Sequence, residues 1–482
     1  MGISALKNKL FKNRVVKNAA WIIGCRVVQS VLSLVVTMLS ARYLGPSGYG
    51  LINYAASLVA FVAPIMQLGF NSVLVREIVE NPDKEGEILG SAILTSFFTS
   101  FFTIAGVVSF VTVANRGEKD TLIVCLLYSI LLIFQSLELI QYWFQAKFKS
   151  KYTSIVMLIA YIVVSAYKIV LLVTDQSIFF FALSQAFDYL IIAVLLLIIY
   201  RKVGSQKLSF SLERVKQIFS KSRFYIVSSI MVIIFSQTDR VMIKLMMSDA
   251  DTGFYSAAVS CSTMTTFVFT AIIDSARPEI FESKKISHEK FEKNISRLYC
   301  IIIYLSLLQC VFITLLASPI VHILYGKQYD PTVAALRLVV WYTTFSYLGY
   351  VRNIWILAEE KQKILWVINL LGAVINVLLN FLLIPFMGIN GAALASLATQ
   401  IFTNVILGYI IPSIRRNNLL MIKGLNFMNL FIREKKKENT GAEDMVAVVE
   451  KIDGEKAGEP ENTTAEVEHS ENNVLPVNLP EE

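Results

Sequence analysis

Charge is scarce in this sequence. Asp, Glu, Lys and Arg make up 17% of its 482 residues, and 55% are hydrophobic, where a soluble domain carries roughly a quarter charged residues. That balance excludes an ordinary soluble enzyme and implies a polytopic membrane protein. Histidine is scarcer still, and His288, His322 and His469 are too scattered to assemble a metal site unaided. Five cysteines (Cys25, Cys125, Cys261, Cys300, Cys310) lie in apolar stretches without CxxC spacing. They read as small core or lipid-facing residues, not as disulfides or ligands. No GxxxxGK[ST] phosphate loop occurs, so the chain does not hydrolyse ATP itself. No Ser/His/Asp or Cys/His set shares a plausible membrane depth. The expectation is a carrier without enzymatic activity, cofactor or metal.

The charge that is present is unevenly placed. The net +8 conceals a tail, residues 434–482, with fourteen acids and five bases, which leaves +17 on residues 1–433. The excess sits in loops, where it reports topology and not nucleic-acid binding. Twelve apolar spans are expected near 18–42, 50–74, 87–114, 120–145, 153–174, 177–200, 222–246, 252–276, 295–316, 331–357, 363–385 and 390–412. Loops rich in Lys147, Lys149 and Lys151, in Arg201 to Arg223, and in Lys284 to Arg297 alternate with loops holding only Arg42, Arg116, Lys119 and Lys327. That alternation puts both termini in the cytoplasm. The apolar run after the basic residues 1–17 is too long for a signal peptide and lacks a small-residue cleavage site. The expected fold is all-α, with twelve transmembrane helices in two pseudo-symmetric six-helix lobes, 1–200 and 222–412, around a central cavity and joined by a cytoplasmic linker, 201–221. Equal orientation of the halves puts their pseudo-symmetry axis along the membrane normal. Residues 413–437 read as a basic interfacial segment against membrane lipid. Residues 438–482 have the composition of a disordered acidic tail.

The chain states one stretch twice. Leu44-Gly45-Pro46-Ser47-Gly48-Tyr49-Gly50 and Met247-Ser248-Asp249-Ala250-Asp251-Thr252-Gly253 each precede a small-residue helix. Aligning Gly50 with Gly253 pairs Asn53 with Ser256, Ser57 with Ser260, Gln67 with Thr270 and Asn71 with Asp274. Steps of four, fourteen and eighteen from Asn53 and from Ser256 put each set on one helix face. Asn53, Gln67 and Asn71 are therefore candidates to face a substrate.

Ionisable residues inside spans are costly and mark function by default. They are Arg26, Glu138, Lys168, Asp188, Asp239, Arg240, Lys244 and Arg352. Arg26 shares a stripe with Ser30, Ser33 and Thr37, and Arg240 and Lys244 share a face with Ser236 and Gln237. Any one of these charges can be structural glue between helices, and Arg352 and Lys244 can also snorkel to the headgroups. Taken together, cations on several polar faces suit an anionic, phosphate-bearing cargo. Arg26, Lys168, Arg240 and Lys244 are its expected ligands. Glu138, Asp188, Asp239 and Asp274 are the candidate ion-coupling carboxylates. Asn369, Gly372, Asn376 and Asn380 share one face, where helix packing is the expected role. Asp249-Ala250-Asp251 mimics the acidic pair of sugar-nucleotide glycosyltransferases but falls in a short outward loop, away from nucleotide sugars.

The run Ala41-Arg42-Tyr43-Leu44-Gly45-Pro46-Ser47-Gly48-Tyr49-Gly50 resembles the first-loop signature of bacterial Wzx-type polysaccharide-repeat flippases. These belong to the multidrug/oligosaccharidyl-lipid/polysaccharide exporter superfamily. Trp143-Phe144-Gln145-Ala146, Gln237-Thr238-Asp239-Arg240, Leu324-Tyr325-Gly326 and the stretch from Gly372 through Pro385 to Ala393 are similar to family patterns in order and spacing. The likeness covers residues 15 to 412; the acidic tail lies outside it. It implies a V-shaped pair of lobes working by alternating access in the bacterial cytoplasmic membrane. The implied cargo is an oligosaccharide on undecaprenyl pyrophosphate, with a polysaccharide polymerase and glycosyltransferases as further partners. A lipid II flippase is a near variant. A drug/cation antiporter should show carboxylates dominating its cavity, and a membrane polysaccharide polymerase needs a longer outer loop than this chain has.

Overall fold

Gly45 sets the first feature of the structure. The computed structural model describes residues 14–204 and 206–427, with the side chains of residues 14–28, 30 and 31 outside that description. Helix α1 (Arg14–Met66) is continuous by hydrogen bonding except at Gly45, whose φ of 67° and ψ of 176° fold it into two arms. Glycine adopts that conformation without a Cβ penalty, and Pro46 opens the second arm, where its missing N–H costs nothing.

The first half continues through α2 (Leu74–Glu80), α3 (Glu85–Ala114), the interrupted run α4 (Lys119–Ser129), α5 (Leu131–Glu138) and α6 (Ile140–Ala146), then α7 (Ser150–Val173) and α8 (Ile178–Val203). The second half holds α9 (Leu212–Met246), α10 (Asp249–Thr263), α11 (Thr266–Ile286), α12 (His288–Leu315), α13 (Ala317–Leu324), α14 (Thr332–Ala358), α15 (Lys363–Met387) and α16 (Ile389–Ile401). A π turn (Phe402–Ile406) leads to α17 (Leu407–Ile410) and α18 (Arg415–Gly424). Among the described residues there is no strand, as an all-α fold requires. Nine helices among them are long and apolar enough to cross a membrane, or ten if α10 and α11, bent by 42°, form one span. Two features hold that number below the twelve expected. The arms of α1 join without a loop, and α14 carries Arg337, Arg352 and a run of Tyr, Trp and Thr that dilute its apolarity.

The two copies of the repeated stretch pack against each other. A Cβ on Gly50 would lie 1.8 Å from the Asp249 carbonyl oxygen, and one on Gly253 would lie 2.0 Å from that of Pro46. Only glycine permits this backbone contact, the membrane equivalent of small-residue helix packing. Around it, Arg42 donates to the carbonyls of Ile323 and Leu324, and the Tyr329 hydroxyl donates to the Ala41 carbonyl at 2.9 Å. Ala41 and Tyr49 join a buried cluster with Ile243, Tyr255, Tyr325 and Val339 of the second half.

At the opposite, basic end, α9 starts on the first half. Lys221 Nζ lies 2.6 Å from Glu77, and the Ser222 hydroxyl donates to the Leu68 carbonyl at 2.7 Å. The expected linker is therefore helical from Leu212 and runs unbroken into the second half. Helix α18 packs on α12, where Arg416 grips Glu292 through two hydrogen bonds and the Tyr299 hydroxyl donates to Asn417 at 2.9 Å. The rest of the basic segment from residue 428, and the acidic tail 438–482, lie outside the described residues.

Replacing Gly253 by Val is expected to cost at least the about 1–3 kcal/mol typical of overpacking. Thermal unfolding of the detergent-purified protein checks this. Gly106→Val, with open space around the new side chain, should leave the midpoint unchanged.

Candidate functional site

A polar chamber of about 430 Å³ lies within the second half, lined by α9, α10, the start of α11, α14, α15, α16 and the π turn. Asp239 is its organising group. The hydroxyls of Tyr255 and Ser396 donate to one carboxylate oxygen, and the amides of Asn376 (3.1 Å) and Asn380 (2.6 Å) donate to the other. Asn376 and Asn380 thus do more than pack helices. Their own Oδ1 atoms are buried without a hydrogen-bond partner. Four donors stabilise the carboxylate without a cation, and the two unused amide oxygens leave a spot of negative potential beside it. Among the described residues, no group of three or more His, Cys, Asp or Glu could hold a metal ion.

Two arginines line the same chamber. Arg240 donates from Nη1 to Gln237 Oε1 at 2.6 Å, and its Nε has no partner. Gln237 Oε1 also accepts from the Ser57 hydroxyl at 3.1 Å, so this contact bridges the halves. Arg352 is only 6% exposed. It donates to the Thr403 carbonyl at 2.7 Å and to Asn353 Oδ1 at 3.3 Å, again with Nε unpartnered. Every polar partner of either guanidinium is neutral. Arg352 is therefore not snorkelling.

A second cavity, about 580 Å³, lies between the halves. Gln29, Ser33 and Thr37 of α1 and Tyr161 of α7 face Ser260, Thr263 and Tyr325 across it. Thr263 borders both spaces. The Ser33–Thr37 stripe thus meets a cavity as its periodicity suggested, whereas the side chain of Arg26 lies outside the described residues.

The remaining candidates are dispersed. Asn53 donates to the Tyr49 carbonyl of its own helix at 2.8 Å. Gln67 and Asn71 are half-buried and line neither space. Asp274 is exposed and paired with Arg277 at 2.9 Å. Lys168 and Glu138 both interact electrostatically with Asp188, whose Oδ1 is buried without a hydrogen bond.

Lys244 is the clearest departure from expectation. It lines neither cavity; its side chain is 4% exposed, with Nζ 2.6 Å from Glu118 Oε2 and 2.8 Å from Asp249 Oδ1. The cation is consumed by two carboxylates, one from each half, at the end where Gly50 meets Gly253. Glu118 also accepts from the Thr121 hydroxyl at 2.6 Å. Burial alone would raise its pKa, but the bonds from Lys244 and Thr121 outweigh that and hold it below the ordinary carboxylate value. Sequence reading missed Glu118 because it sits in a short loop, 126 residues from its partner.

Residues 15–284 match the family described as "Polysaccharide biosynthesis protein". A capsular polysaccharide biosynthesis protein, CapF of Staphylococcus aureus, is 21% identical over 401 residues, covering 80% of this chain and 96% of the relative. Among solved structures, the lipid II flippase MurJ in an inward closed conformation matches with a TM-score of 0.65 at 14% identity, covering 89% of this chain and 96% of the other. An inward-facing multidrug transporter of the MATE family matches at 0.60 and 13% identity, covering 81% and 95%. These structures share the fold.

Lys244→Met leaves Glu118 and Asp249 facing each other unpaired, which should loosen the Gly50 end. A cysteine at Ser260, in an otherwise cysteine-free chain, is expected to react faster with a membrane-impermeant thiol reagent in that variant. Unaltered labelling would count against a lock. A carboxylate with a lowered folded pKa stabilises above its unfolded pKa and loses that contribution as pH falls through the folded value. Acidification below the ordinary carboxylate range should therefore reproduce the faster labelling.

Proposed function

The chain belongs to the polysaccharide biosynthesis protein family, and from that premise we propose that it flips a polyprenyl-pyrophosphate-linked oligosaccharide from the inner to the outer leaflet by alternating access. It is an integral membrane protein with a transporter-type fold. One observation carries the cargo assignment: in the second-half chamber the acid is satisfied by hydrogen bonds and the base is not. Asp239 is satisfied by four neutral donors, while Arg240 keeps an unused donor. A pyrophosphate leaving water needs charge-assisted hydrogen bonds, which a guanidinium supplies in a planar fork. A drug/cation antiporter would need the reverse polarity. Lys168 and Arg26 are further cargo ligands in this reading, with Lys244 assigned to closure instead. The basic end faces the cytoplasm, as do both termini, and the Gly50 end faces outward.

Energy supply is assigned to Asp239. In this reading Asp239, with Asn376 and Asn380 beside it, whose Oδ1 atoms have no hydrogen-bond partner, would take a small monovalent cation once its donors turn away. Glu138 and Asp188 are the alternative pair in the first half. Asp274, exposed and paired, falls away. Glycosyltransferases that build the unit and a polymerase that consumes it complete the partners.

Complementation in a strain lacking its own repeat-unit flippase tests the cargo. Wild type should restore surface polysaccharide. Arg240→Gln should abolish it at normal membrane abundance, while Arg240→Lys should retain some. Rescue of a lipid II flippase deficiency and not of the repeat-unit strain would reassign the cargo to lipid II.

The coupling assignment has its own readout. In proteoliposomes, wild-type flipping should respond to a sodium or proton gradient, and Asp239→Asn should flip at a rate indifferent to both. A gradient response that survives in Asp239→Asn would move coupling to Glu138 and Asp188.

A further inference from the structure

Arg352 lies within α14, 6% exposed, and its hydrogen-bond partners among the described residues are neutral. A buried guanidinium with only neutral partners carries an uncompensated desolvation cost. Its orientation is nonetheless fixed from behind. The π turn shifts the Leu407 N–H onto the Phe402 carbonyl, and the Thr403 carbonyl accepts Arg352 Nη1 at 2.7 Å. Asn353 holds Nη2. The atom left without a partner is Nε, on a side chain that lines the chamber. Arg240, lining the same chamber, is held by one Nη1 bond with Nε likewise unused. π turns inside α-helices recur at functional positions, where they reposition backbone groups.

We propose that Arg352 and Arg240 form a two-guanidinium clamp, with Arg352 on the rear wall and the anion between them a diphosphate. Two phosphate groups match two forks, each accepting through the edge that Nε completes. The bound anion supplies the charge that balances Arg352. The clamp also gives the π turn a purpose, because Thr403 aims Arg352 without neutralising it. This inference rests on the flippase reading for the biological source of the diphosphate, whereas the anion site itself stands on the chamber alone.

The experiment uses inorganic pyrophosphate as probe, with thermal unfolding of the full detergent-purified chain at constant ionic strength. Wild type is expected to show saturable stabilisation by pyrophosphate that sodium chloride does not reproduce. Arg352→Gln should raise the midpoint of that titration at least about tenfold, equivalent to 1.4 kcal/mol. Arg352→Lys should fall between the two, since an ammonium keeps the charge and loses the fork. If Arg352→Gln does not fold, the Lys variant decides: a weakened titration supports the clamp and an unchanged one overturns it. Absence of saturable stabilisation in wild type also overturns it. The two readings fail separately. Arg352-dependent pyrophosphate binding in a protein that never restores polysaccharide keeps the clamp and removes the flippase. Full complementation with an Arg352→Gln titration equal to wild type keeps the flippase and removes the clamp.

Discussion

The close crossing of α1 and α10 at Gly50 and Gly253 is the contact on which the rest of the structure depends. In hydrocarbon there is no hydrophobic gain from joining two apolar helices, so association rests on close packing and polar contacts. Two missing Cβ atoms let backbone meet backbone. The consequences spread outward from that point: Tyr49 reaches the buried cluster of the second half, Arg42 reaches the end of α13, and Glu118 comes within reach of Lys244. The cavity between the halves, bounded by Ser33, Tyr161 and Tyr325, exists because the halves are held together here.

Helix α9 imposes the complementary constraint. Its first turns are pinned to the first half through Lys221 and Ser222, and its later turns deliver Asp239 to Asn376 and Asn380 of α15. A rearrangement of the halves must bend this helix or release its start. Asp239 and Arg240 therefore sit on the helix that runs from one half into the other.

Buried charge is handled in three different ways, and the differences indicate role. Lys244 is neutralised by two carboxylates, a fixed lock across the halves. Asp239 accepts hydrogen bonds from two hydroxyls and two amides, with no cation among those partners. Arg352 is oriented but not neutralised, which suits a site completed by its ligand. Adjacency in sequence says little about which treatment a residue receives. Arg240 and Lys244 share a helix face, yet one lines a chamber and the other pairs with two carboxylates.

The sequence by itself determined the class of molecule. Scarce charge and long apolar runs required membrane helices, and the repeated loop named the two glycines that turned out to touch. The 3.6-residue period also put Ser33 and Thr37 on one stripe, and the cost of burying charge marked eight in-span residues, Asp239, Arg240 and Arg352 among them. Periodicity reports which residues share a face, not what covers that face. Gln67 and Asn71 satisfy the pattern and still line neither cavity, and Asp274 pairs with Arg277 one turn away. Only the tertiary structure decided partners. Lys244 finds Glu118 across 126 residues, Asp239 finds Asn380 across 141, and Arg352 is aimed by a carbonyl of a π turn. A charge's role depends on its neighbours' distance and sign, and helix packing alone brings those neighbours within a few ångströms.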